Sequence, residues 1–113
     1  MAKQQNPVGN SSSFMTNARV LYTSQGRSGT VHYRSEEAAF DMWYEFAGGN
    51  ALAIINIPTP QYWQQLTQTP LLQRPAILQF IGEQVVRDQV SSGGYFRIDD
   101  DFITIYTGKE PGR

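Results

Sequence analysis

The chain has 113 residues, 40% hydrophobic and 12% aromatic, enough for one packed domain and too few for two. Nine basic residues against ten acidic ones leave a formal net charge of -1, which lacks the electrostatic footprint of a protein that grips duplex DNA by its phosphates. The absence of cysteine excludes disulfides, thiolate nucleophiles and thiolate metal sites, and the single histidine, His32, excludes a two-histidine site within one chain.

Residues 1–17 are rich in Gln, Asn, Ser and Gly and are expected to form a flexible arm, because so little apolar surface cannot offset the entropy of ordering. The opening stretch has no apolar core of a secretory signal, and no apolar run approaches the ~20 residues of a membrane-spanning helix. A soluble cytoplasmic protein with one domain over 18–107 and a short tail over 108–113 is therefore expected.

Two β-leaning runs come first, Ala18 to Thr23 and Thr30 to Ser35, separated by the turn-forming stretch Ser24 to Gly29. Phe40 to Ala47 alternates, with Phe40, Met42, Tyr44 and Phe46 facing the core and Asp41, Trp43 and Glu45 facing outward. Gly48-Gly49 predicts a tight hairpin into Ala51 to Ile57, a run apolar on nearly every residue, which asks for cover on both faces. Thr59-Pro60 reads as an N-cap and first helical position, opening a short Gln-rich helix with Tyr62, Trp63 and Leu66 as its apolar residues. Pro75 to about Val90 is the clearest helix: Ile77, Leu78, Ile81, Gly82, Val85 and Val86 form one stripe, with Gly82 permitting close approach to a sheet. Glu83 and Arg87 fall on the opposite side at i,i+4, and Phe80 is an apolar outlier among them. After Ser91 to Gly94, a terminal hairpin of Tyr95 to Ile98 and Phe102 to Thr107 is expected to turn at Asp99-Asp100 and to pair Phe96 with Ile103. The order β-β-β-β-α-α-β-β predicts an α+β domain, an antiparallel sheet of about six strands with one main and one short helix on one face.

Three constellations bear on function. Asp99-Asp100-Asp101 lacks the spacing, glycine and distal Glu of a calcium loop, and reads as a turn. A loop at Ser35 to Ala38 would set His32 opposite Asp41 and Thr30 opposite Trp43. A turn at Gly48-Gly49 would then add Asn56 to the row His32, Asp41. A His-Asp pair is the orienting half of a nucleophilic triad, but no nucleophile elbow accompanies it, and the pair reads first as an ordinary cross-strand contact on a solvated face, with a polar ligand site as the next reading. The third is aromatic: Trp43 outward, flanked by Leu52 and Ile54, forms an apolar patch of the kind that marks association.

These features predict a non-enzymatic module that assembles with itself or another protein through the face bearing Trp43, Leu52, Ile54, Asp41, His32 and Asn56, with no metal or cofactor. The alternatives are a small-ligand domain, a single-stranded nucleic-acid binder stacking bases on Tyr95, Phe102 and Tyr106 beside Arg97, and a hydrolase using His32 and Asp41. Neither Gly26-Arg27-Ser28-Gly29 nor Gly48-Gly49 matches a phosphate loop.

Overall fold

The computed structural model describes residues 14–112. Six antiparallel strands form one sheet: β1 (Arg19–Gln25), β2 (Ser28–Arg34), β3 (Ala39–Phe46), β4 (Ala51–Asn56), β5 (Gly94–Ile98) and β6 (Phe102–Thr107). Their spatial order is β1-β2-β3-β4-β6-β5, so the terminal hairpin docks with its second strand beside β4. Helix α1 (Trp63–Thr67), a 3-10 turn (Leu71–Gln73) and helix α2 (Arg74–Gln89) connect β4 to β5. The α+β architecture is the expected one.

The core lies between α2 and one sheet face. Ile77, Leu78, Ile81 and Val85 of α2 are buried against Val20, Val31, Tyr33, Phe40, Met42, Tyr44, Ala53, Ile55, Ile103 and Ile105. Period-two alternation in the strands and the 3.6-residue stripe on α2 meet at one layer, which leaves the sheet's second face open. Gly82 sits against Phe96, where a Cβ would lie 2.5 Å from the ring, so the expected close approach is real. Phe80, the apparent outlier, packs edge-on to Tyr33 at 6.2 Å between ring centres.

Several local expectations need correction. The β1–β2 turn is only Gly26-Arg27, because Gly26 takes φ +75° and lets pairing run out to Gln25 and Ser28. Thr59 caps no helix: α1 begins at Trp63 without a side-chain cap. Of the three apolar residues assigned to that helix only Trp63 is buried, donating Nε1–H to the Pro70 carbonyl at 3.2 Å. Tyr62 and Leu66 are exposed. Glu83 accepts from Gln79 rather than pairing with Arg87.

The terminal hairpin is shifted by two residues, so that Phe96 pairs with Ile105 and Ile98 with Ile103. Its tip is Asp100-Asp101, closed by Asp99 N–H donating to the Phe102 carbonyl at 2.9 Å. Asp99 Oδ1 accepts from the N–H groups of Asp101 and Phe102, both at 2.8 Å, which is the turn role read for the Asp run.

Of the arm expected over residues 1–17, residues 1–13 lie outside the described residues. Thr16 and Asn17 are bound to Glu37 and Glu36 of the β2–β3 loop, and Phe14 and Met15 pack on the core. No described helix is long and apolar enough to cross a membrane.

Candidate functional site

The open face is built by the outward residues of all six strands. From β1 to β3 it presents Arg19, Leu21 and Thr23, then Thr30, His32 and Arg34, then Asp41, Trp43 and Glu45. Ile54 and Asn56 of β4, Phe102, Thr104 and Tyr106 of β6, and Tyr95 and Arg97 of β5 complete it. None of the described residues forms a second layer over it.

The β2–β3 register sets His32 opposite Asp41 and Thr30 opposite Trp43, as the sequence predicted. The β3–β4 register pairs Glu45 with Ile54, two residues away from the expected one. Asn56 therefore stands beside Trp43, not Asp41, and its Nδ2 donates to the Trp43 carbonyl at 3.2 Å. The reason is a longer connection at Gly48-Gly49, closed by Ala47 N–H to the Leu52 carbonyl, with an irregularity between Ala51 and Ala53. That bulge also turns Leu52 away from the open face. Leu52 packs against the core and lines a recess on the helix side, so it is removed from the proposed contact surface.

Trp43 is 44% exposed, and its indole N–H reaches Glu45 at 3.3 Å. Phe102 lies across from Asn56 on β6, which puts Trp43, Asn56 and Phe102 in one row across three strands, with Ile54 in the next row. Leu21, 48% exposed, stands opposite His32 on β1.

Around His32 the structure gathers more than the sequence reading found. His32 Nδ1 lies 2.8 Å from Asp41 Oδ1, and His32 Nε2 lies 2.7 Å from Thr23 Oγ1. A carboxylate only accepts, so Nδ1–H donates to Asp41, while at the Nε2–Thr23 contact the ring's proton count decides which side donates. Arg34 Nη1 reaches the same carboxylate oxygen at 2.9 Å. The His32 hydrogen bond, the largest influence, together with Arg34 holds the Asp41 carboxyl below its ordinary range against the opposing effect of burial. Thr23 was legible in principle: once the turn is Gly26-Arg27, Thr23 faces Thr30 and so lies diagonal to His32.

Hydroxyl, imidazole and carboxylate are thus in the order of a nucleophilic triad. They lie on open sheet, however, and the recesses lined by Tyr22 and Val85, by Gln79 and Phe96, and by Gln64 and Pro70 include none of them. The arrangement orients His32 and can pass a proton along the row; a substrate would touch it from one side only.

The other singled-out residues serve elsewhere. Trp63 is buried beneath Arg74, whose guanidinium sits 5.8 Å from the indole centre and donates to the Pro58 and Asp100 carbonyls. Tyr95 and Tyr106 stack on each other at 4.7 Å, and Arg97 lies over Tyr95 and 3.6 Å from Glu110. Among the described residues no group of three or more His, Asp or Glu side chains is placed to hold a metal ion. Missed by the sequence reading is a set of exposed apolar side chains between β4 and α2: Tyr62, Leu66, Leu71 and Leu72, the last 91% exposed. No family model, curated protein or solved structure matches the chain.

Proposed function

We propose that this chain is a non-enzymatic assembly module that pairs with a second copy of itself through the open sheet face. The observation that carries this reading is the row Trp43, Asn56, Phe102, with Ile54 and Leu21 around it, on a face that the described chain leaves uncovered. An antiparallel sheet tolerates water on one face when that face is polar. Here half-exposed aromatic and aliphatic side chains stand on four strands, and tryptophan at the centre of a flat surface is the residue type that anchors contacts. The charges around it suit a two-fold contact, in which each surface meets itself: Asp41 and Glu45 lie on β3, and Arg19, Arg34 and Arg97 lie toward the two edges.

Two geometric details weigh against the alternatives. Tyr95 and Tyr106 spend one ring face on each other and Arg97 is engaged, which weakens the case for stacking nucleic-acid bases there. The Thr23–His32–Asp41 row lines none of the recesses beside α1 and α2, which weakens the case for a hydrolase.

Light scattering at high micromolar concentration tests the proposal. The expected mass is twice 12.7 kDa, falling to the monomer value in Trp43→Glu and staying unchanged in Leu72→Glu. A monomer in the unsubstituted chain overturns the reading. A dimer broken by Leu72→Glu and untouched by Trp43→Glu moves the contact to the apolar cluster before α2.

A further inference from the structure

On the helix side of the sheet, the C-terminal turns of α2 lift away from the hairpin ends of β1 to β4 and leave a recess of about 90 Å³. Its walls are Val31, Tyr44, Ala53, Ile55, Val85 and Ile105. These side chains are buried, so the floor is preformed and apolar. The mouth carries Phe46, exposed despite its core-facing register, and Leu52, which the β4 bulge re-aims from the open face into this rim. Bulges of this kind often redirect a side chain beside a site.

The polar side chains of the lining are Tyr22, Ser24, Tyr44 and Gln89. Ser24 Oγ and Tyr44 OH are 3.3 Å apart, a long contact in which either can donate, so the pair retains hydrogen-bonding capacity for a third group. Tyr22 OH donates to Asp88 Oδ2 at 2.7 Å beside it. No lysine, arginine or histidine lines the recess, and the Asp88 carboxylate stands next to it, which disfavours an anion.

We infer that this recess is a binding site for a neutral, single-ring molecule carrying one hydroxyl, of the class of phenol and benzyl alcohol. The ring seats between Ile55, Val85 and Ile105, and its hydroxyl meets the Ser24–Tyr44 pair. A dry apolar cavity of ~150 Å³ encloses benzene, so a recess of about 90 Å³ covers only part of one ring and leaves the remainder in its open mouth. The site lies on the side of the sheet away from the proposed contact face and stands or falls apart from it.

The test is a titration of the full chain with phenol, followed by amide shifts in ¹⁵N-¹H spectra, with benzoate as the anionic control. Saturable shifts confined to Tyr44, Ala53, Leu52, Val85 and their neighbours are expected, with a dissociation constant of roughly 0.1–1 mM for so few atoms. Benzoate should bind at least tenfold more weakly. Ala53→Leu fills the floor and should abolish the shifts; Ser24→Leu, at an exposed position, closes the polar end and serves if Ala53→Leu does not fold. Tyr44→Phe should weaken phenol roughly fivefold through one lost hydrogen bond. Linear, unsaturated shifts, benzoate binding as well as phenol, or undiminished binding to Ser24→Leu would each overturn the inference.

Discussion

Tyr33 is fully buried, yet its hydroxyl has no hydrogen-bond partner among the described residues. The nearby Ser35 hydroxyl is committed to the loop, accepting from the Glu37 and Ala38 N–H groups at 3.2 and 3.0 Å. The ring itself is well used, packed on Phe40 at 5.1 Å and edge-on to Phe80. A buried unsatisfied hydroxyl costs about 1–3 kcal/mol, so Tyr33→Phe, which keeps the ring, should leave stability unchanged or raise it by up to about 1 kcal/mol in urea denaturation. Tyr22 presents the opposite case: its hydroxyl is satisfied by Asp88, and burial together with that carboxylate pushes the phenol pKa up. The sign follows from the direction. The folded state holds the proton more tightly than the unfolded chain, so this contribution is complete below about pH 10, the unfolded value, and is lost as pH rises through the raised folded value. Tyr33 shifts the same way, chiefly by burial. Tyr22→Phe should therefore lose less stability than the unsubstituted chain between roughly pH 9 and 11, read as the urea midpoint at each pH; equal slopes would show that Tyr22 ionises alike in both states.

The seating of α2 on β5 rests on one missing side chain. A Cβ at Gly82 would lie 2.5 Å from two Phe96 ring carbons. Gly82→Ala gains about 1 kcal/mol of helix propensity but overpacks the contact at a cost of about 1–3 kcal/mol. A net loss of about 1 kcal/mol is expected, turning into a gain when the same substitution is made in a Phe96→Ala background. The double cycle by chemical denaturation checks both signs. Gly82 was legible because it interrupts an otherwise regular apolar stripe, and α2 itself because that stripe runs nearly three turns, from Ile77 to Val86. The His32–Asp41 pairing was legible because Ser35 to Ala38 make a short connection and the core residues on either side agree with it. The β3–β4 and β5–β6 hairpins were harder: both slip by two residues, a change that keeps every side chain on its face, so the alternation in the sequence cannot detect it. The consequence for the site is nonetheless real, since it moves Asn56 from Asp41 to Trp43. The bulge at Leu52 breaks the alternation with no glycine or proline at that residue to signal it, and α1 misled because Trp63 alone, held by Pro70 and Arg74, does the packing expected of three residues.

At the scale of the whole molecule, six strands of five to eight residues make a face of limited extent. With strands ~4.8 Å apart and ~3.3 Å per residue, its flat area is roughly 600 Å², close to the ~800 Å² that one partner contributes to a standard interface. A contact of that size needs most of the face and places the Trp43 row near its middle, where truncations cost most. In a two-fold dimer every residue acts twice. If Trp43→Ala costs about 2 kcal/mol per copy, the variant dimer should be weaker by roughly a thousandfold and a mixed dimer of variant with unsubstituted chain by roughly thirtyfold. Folding stability of the isolated chain should change by less than about 1 kcal/mol, because the indole is largely outside the core. Sedimentation equilibrium on each chain and energy transfer between labelled chains in the mixture give the three constants. A head-to-tail contact uses Trp43 once per interface and would continue past the dimer, so a mixed pair within about twofold of the unsubstituted one, or masses above twice the monomer, would exclude the two-fold arrangement while leaving the face itself in play.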